Sequence, residues 1–298
     1  MSAAPVDIER TLRKRGPVID PAGMKALYEP LLALQPRDGV ACTRDLAYGN
    51  DERHRLDVYT PGTPDMAGPR PVLVFVHGGG FVRGDKRERE NLAYAFAREG
   101  FTVVLPNYRL GPAHRWPAGA EDVSAVMHWV EQHAHEFGSA GAPRFLAGES
   151  AGAAHVAAST LIRRLAATPA AAPDAVALIS GVYNARLEGL ARTQFGIATP
   201  DPRNEAYFGP DRTAWDTMST VDLIDAAPFP LLISYADMDP PQMQVQAGEL
   251  FARLVSRHGF QPALHVVRGH NHISQLCAIG TGDLALFGPL LAWMLQQR

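Results

Sequence analysis

Short, wholly apolar runs recur along the chain: PVLVFV from Pro71, then FTVVLP, PRFLAGE, DAVALISG, FPLLISYAD and ALHVV. Each is rich in β-branched residues, lacks polar alternation, and leads into a segment of helical period or a loop before one. A strand with no alternation is buried on both faces, and that requires a parallel sheet covered by helices. The repeated strand-then-helix pattern predicts an α/β fold, with a mostly parallel central sheet of about eight strands and helices on both faces. Upstream, TRDLAYG and HRLDVYT flank the polar NDER and predict an antiparallel hairpin at the sheet edge.

Two stretches break this rhythm, residues 1–40 and 184–227. The first contains IDPAGMKALYEPLLALQ, which has helical apolar spacing; the second carries RTQFGIATPDPRNEAYFGPDRTAW, rich in aromatic and turn residues. Both are expected to form a small cap over the carboxyl ends of the strands, within one domain spanning residues 1–298.

Composition narrows the function classes. With 298 residues, 46% hydrophobic and 20% charged, the chain can bury a large core. Its net charge of −3, with Lys and Arg scattered, provides no stripe for nucleic acid and no polybasic face for a membrane. The amino-terminal residues mix charges and lack a signal-like apolar run, so a cytoplasmic location is expected. Cys42 and Cys277 are far apart and outside any CxxC spacing, which argues against a thiolate metal site. His128, His133 and His135 do not share one helical face, and no metal is expected there either.

Chemistry enters at Gly148-Glu149-Ser150-Ala151-Gly152. This GxSxG sequence follows a predicted strand and opens a predicted helix, the context in which a serine is lifted clear of a sheet with its Oγ exposed. The helix would point its positive end at Ser150, and the Ala151 N–H could donate to a developing oxyanion. A plain helix N-cap is the competing reading of Ser150. Two more donors are available in His77-Gly78-Gly79-Gly80: Gly79 and Gly80 are the candidates, Gly78 permits the bend, and His77 anchors the loop. An acid and a base should follow in that order. Asp237 and Asp239 follow one late strand; His270 and His272 follow the next. Asp239 also precedes Pro240 and Pro241, where it could cap a helix. Spacing barely separates the members of either pair.

The runs VFVHGGGFVRGD, LPNYRLGPAHRWPAGAEDV and LAGESAGAAH, in that order, resemble α/β-hydrolase carboxylesterases of the hormone-sensitive-lipase-like kind. The resemblance covers roughly Leu46 to His272. Its carboxyl-terminal part, SYADMDPPQMQVQAGEL with GHNHIS, looks closer to small bacterial esterases and kynurenine-formamidase-like enzymes. It implies an α/β-hydrolase fold, a triad of Ser150, Asp239 and His272, and an oxyanion hole of Gly79, Gly80 and Ala151. It implies no cofactor and no metal, with a small-molecule ester or amide as substrate and pairing into a homodimer as an analogy. The sequence departs from the family pattern at Ala153 and Ala113, which blurs the branch. Phe81, Glu149, Phe195, Tyr207, Phe208 and Trp215 are candidate pocket residues, although packing explains the aromatic ones equally well. Arg83, just past the glycines, could meet an acidic substrate or make a surface salt bridge. The expected function is hydrolysis of small to medium acyl esters. An arylformamidase using the same triad is the alternative, and a non-catalytic ligand-binding protein the minor one.

Overall fold

The computed structural model describes residues 7–62, 68–187 and 202–297. Eight strands form one sheet: β1 (Val40–Ala47), β2 (Arg55–Pro61), β3 (Val72–Val76), β4 (Thr102–Pro106), β5 (Arg144–Glu149), β6 (Ala175–Ile179), β7 (Leu231–Met238) and β8 (Ala263–Asn271). Their order is β1-β2-β4-β3-β5-β6-β7-β8. The hairpin predicted around NDER is present as antiparallel β1 and β2 at one edge, and β2 is also antiparallel to β4. From β4 onward the neighbours are parallel. This is the mostly parallel sheet that the apolar runs predict.

The two faces of β3 show why those runs lack polar residues. Val72, Val74 and Val76 pack into a core shared with α4 (Ala118–His133), α5 (Ala151–Leu161) and the helix Pro241–His258. Leu73 and Phe75 face the opposite layer, with Phe96 of α3 (Glu90–Arg98) and Leu290 and Met294 of the helix Phe287–Gln296. Both sides are therefore covered, and each such side chain contributes about 1.5–3 kcal/mol on burial.

Within the first irregular stretch lie α1 (Ile8–Arg15) and α2 (Pro21–Leu32). Asp20 caps α2 by accepting from the Gly23 N–H at 2.8 Å, and Pro21 occupies its first turn, where a missing N–H costs nothing. The described part of the second stretch holds a helix at Pro202–Phe208, a 3-10 turn at Arg212–Met218 and a short helix at Thr220–Leu223. Among the described residues, no helix is long and apolar enough to cross a membrane.

Candidate active site

Strand β5 delivers Ser150 into a tight turn before α5. The serine has φ 51° and ψ −121°, a backbone conformation that costs on the order of 1–3 kcal/mol for a residue with a Cβ. Its N–H remains bound to the β6 carbonyl of Ile179 at 2.9 Å, so the turn is pinned to the sheet while the side chain leaves it. The flanking glycines are required by close approach: a Cβ on Gly148 would lie 2.7 Å from the Gly152 carbonyl, and one on Gly152 would run into the end of β3. Ser150 makes no side-chain cap to α5, which removes the N-cap reading.

Ser150 Oγ lies 3.0 Å from Nε2 of His272, and Nδ1 of the same ring lies 2.7 Å from Asp239 Oδ1. Both partners are almost fully buried, at 2% and 1% exposure. The other Asp239 oxygen accepts from the Ser180 hydroxyl at 2.6 Å and from the Ala236 N–H at 2.8 Å. With these bonds the carboxylate is fully engaged and its orientation toward His272 is set. Asp239 does not cap the helix that follows; Pro240 occupies that position without a side-chain bond.

Asp237 and His270 go elsewhere. Asp237 accepts from the Gly269 N–H at 2.9 Å. His270 reaches Asp283 at 3.2 Å through Nε2 and Ser274 at 3.2 Å through Nδ1, and this bond holds the Asp283 carboxyl below its usual range. The two histidines diverge because Asn271 turns the chain: its Oδ1 accepts from the N–H groups of Ile273 and Ser274 at 3.3 and 3.0 Å.

Facing Ser150 is the loop after β3. A Cβ on Gly79, at φ 132°, would fall on the Arg83 carbonyl, so this turn admits only glycine. Among the described residues, the N–H groups of Gly79, Gly80 and Ala151 donate to no protein acceptor. They are therefore available to an oxygen placed beside Ser150. Glu149, 2% exposed, holds the loop from beneath, accepting from the Gly78 N–H at 3.2 Å and forming a buried ion pair with Arg89.

The site opens into a cleft of about 710 Å³ lined by Gly78, Gly79, Gly80, Phe81, Glu149 and His272, with Ser150 at its floor and α2 along one wall. Of the candidate pocket residues, Phe81 and Glu149 line it. Tyr207, Phe208 and Trp215 do not. They are buried in an aromatic cluster behind Phe81, whose ring stacks on Tyr207 at 4.6 Å and meets Phe208 edge-on at 5.3 Å. Phe195 lies outside the described residues. Sequence reading missed Ser180 and Gln275. Gln275 Nε2 donates to Ser180 Oγ at 2.8 Å and to the His272 carbonyl at 3.2 Å, and so links His272 to the Ser180 hydroxyl that bonds Asp239. The only sequence signal for Ser180 is its position in ISG at a strand end, where its φ is 48°.

Behind the glycine loop are two buried histidines. His77 has Nδ1 2.6 Å from the Gly78 carbonyl and stacks on Tyr108 at 4.5 Å; His155 lies among Phe81, Tyr108 and Tyr207. Among the described residues, neither Nε2 has a partner. Burial pushes His77 down to about 4 from the ordinary 6.5, and burial followed by the nearby His77 pushes His155 down to about 3. Above pH 6.5 both folded and unfolded chains carry these rings neutral. Below it only the unfolded chain takes up protons, so stability falls as pH drops toward 4, with a slope that steepens toward on the order of 1 kcal/mol per pH unit for each histidine. Urea unfolding across pH 6 to 4.5 is expected to show a shallower slope in His155→Phe than in the wild type. An unchanged slope would refute this assignment.

Comparisons with known proteins agree with this architecture. A model of the alpha/beta hydrolase fold family matches residues 73–275. The chain is 27% identical over 245 residues to an ethyl acetate hydrolase of Pseudomonas putida, covering 78% of this chain and 75% of that one. It is 35% identical over 127 residues to a probable carboxylic ester hydrolase of Mycobacterium tuberculosis, covering 41% of this chain and 29% of that protein. The match thus spans less than a third of the mycobacterial relative. Among solved structures, a bacterial heroin esterase superposes with a TM-score of 0.75 at 26% identity, over 97% of this chain and 96% of the other.

Proposed function

The chain belongs to the α/β-hydrolase fold family, and from that premise we propose that it is a carboxylic ester hydrolase with Ser150 as nucleophile, His272 as base and Asp239 as orienting acid. The observation that carries this reading is the hydrogen-bond chain of 3.0 and 2.7 Å from Ser150 through His272 to Asp239. The names of the Pseudomonas putida and Mycobacterium tuberculosis relatives support ester over amide hydrolysis.

In the proposed reaction, Ser150 Oγ attacks the acyl carbonyl as its proton passes to His272 Nε2. Asp239 keeps the other ring proton on Nδ1 and stabilises the imidazolium. The carbonyl oxygen, now an anion, accepts from the N–H groups of Gly79, Gly80 and Ala151. When the intermediate collapses, the C–O bond to the alcohol breaks and His272 returns the proton to the departing oxygen. A water then acts as nucleophile: it gives a proton to His272 and adds to the acyl carbon, and as the second intermediate collapses the bond from the acyl carbon to Ser150 Oγ breaks, the acid leaves and His272 returns the proton to Ser150. A cleft of about 710 Å³ suits small to medium acyl esters.

The test is a panel of 4-nitrophenyl acetate, butyrate and dodecanoate with N-formylkynurenine, alongside fluorophosphonate labelling. The short esters are expected to give the highest kcat/KM, with dodecanoate at least about tenfold lower and the label on Ser150. Dominant deformylation of N-formylkynurenine would make the protein a formamidase. No turnover and no label would remove the hydrolase reading.

A further inference from the structure

Cationic side chains gather around the oxyanion glycines. Six of them line the cleft: Lys25, Arg37, Arg83, Arg87, Arg89 and Arg203. Arg89 pairs with Glu149, Arg37 with Glu90 at 3.9 Å and Arg87 with Asp45 at 3.6 Å, and Arg203 is also engaged in an interaction of its own. Arg83 is different. It is exposed into the cleft, and among the described residues its side chain makes no ion pair and no hydrogen bond. Among the described residues, no surface salt bridge explains it.

Its position is tied to the site. The Arg83 carbonyl packs directly against Gly79, so the side chain starts from the loop that carries the free N–H groups. Arg203 approaches the same loop from the helix Pro202–Phe208: its Nη1 and Nε would lie 3.1 and 3.2 Å from a Cβ built on Gly80. Two guanidinium groups therefore border Gly79 and Gly80. Two glutamates of the lining, Glu29 and Glu88, also lack an ion pair among the described residues, but they stand on α2 and on the 3-10 turn Lys86–Arg89. Glu149 is neutralised by Arg89.

A guanidinium held at a partly water-excluded cleft gains more from an anion than one on an open surface, and its planar fork suits a carboxylate. The apolar part of the lining, Phe81, Val182 and Met243, leaves room for the uncharged portion of the same molecule. Resting on the ester-hydrolase reading above, we propose that the substrates are esters bearing a carboxylate, and that Arg83 is the element that selects them.

The carboxylate can belong to the acyl part or to the alcohol, and the two are told apart with matched probes. On the acyl side, mono-4-nitrophenyl adipate is compared with its neutral methyl diester; on the alcohol side, 4-carboxyphenyl butyrate is compared with 4-carbamoylphenyl butyrate. In one pair the anionic member is expected to be favoured about tenfold in kcat/KM, chiefly through KM, and the preference should shrink as ionic strength rises from about 0.02 to about 0.5 M. In that same pair Arg83→Glu should invert the ratio and Arg83→Lys should retain most of it. Equal or better turnover of the neutral member in both pairs, or a ratio unmoved by Arg83→Glu, overturns the proposal while leaving ester hydrolysis standing. If neither neutral nor anionic esters react, the ester reading falls and takes this inference with it.

Discussion

Ser150→Ala is expected to lower kcat/KM for short esters by at least about 10⁴-fold, equivalent to about 5 kcal/mol of transition-state stabilisation, while the chain still folds. Alanine keeps the Cβ and hence the turn, and the lost hydroxyl makes one side-chain bond, to His272. What remains is binding plus the three donors of Gly79, Gly80 and Ala151, so activity should fall far but stay above the uncatalysed rate. Ser150→Gly gives a second readout. At φ 51° and ψ −121° a Cβ is strained, so glycine should match alanine in inactivity yet unfold at a higher denaturant concentration, by about 1 kcal/mol. Stopped or steady-state assays with urea unfolding of both variants check the pair of effects. Retention of more than about a hundredth of wild-type activity in Ser150→Ala would exclude the serine as nucleophile.

Asp239→Asn should cost about 10³–10⁴-fold in kcat/KM, whereas Asp237→Asn should stay within about threefold of wild type. The Asp239 carboxylate accepts on both oxygens, from His272 on one and from Ser180 and Ala236 on the other. An amide cannot reproduce this pattern. If its NH₂ faces His272, the ring must carry its proton on Nε2 and can no longer take one from Ser150. If its oxygen faces His272, the NH₂ is pressed against the Ala236 N–H, donor to donor. Asp237 accepts only from the Gly269 N–H among the described residues and does not reach the ring. A larger loss in Asp237→Asn than in Asp239→Asn would reverse the assignment of the acid.

The framework was legible because its physics is local. The unbroken apolar run of β3 can only be a strand covered on both sides, and the structure packs its alternate residues into two separate layers. GESAG between a strand and a helix specified a strained turn with its glycines, and the structure has that turn. The aromatic residues of the second irregular stretch were less legible. Tyr207, Phe208 and Trp215 have the same apolar character whether they face a ligand or each other, and only the position of Phe81 draws them into a buried cluster. Glu149 was visible as a polar residue beside Ser150, but its partner Arg89 lies 60 residues away.

By itself the sequence determined which kinds of residue are candidates for the chemistry and where along the chain they stand: one serine in a turn, glycines after a central strand, two acids and two histidines in late loops. Those choices follow from side-chain chemistry and from backbone limits at single turns. Residue spacing left Asp237 and Asp239, and His270 and His272, unseparated, and the family resemblance pointed to Asp239 and His272; the tertiary structure is what brings those two into line with Ser150. That alignment rests on neighbours distant in sequence: β7 and β8 lie side by side with a register shift between Ala236 and Met238, the Asn271 turn redirects the chain after His270, and Ser180 and Gln275 hold Asp239 and His272 in line. Residues two positions apart carry the same side chain, and the fold separates them by the partner it brings within hydrogen-bond reach: Asp239 meets His272 at 2.7 Å, while Asp237 meets the Gly269 N–H and His270 meets Asp283.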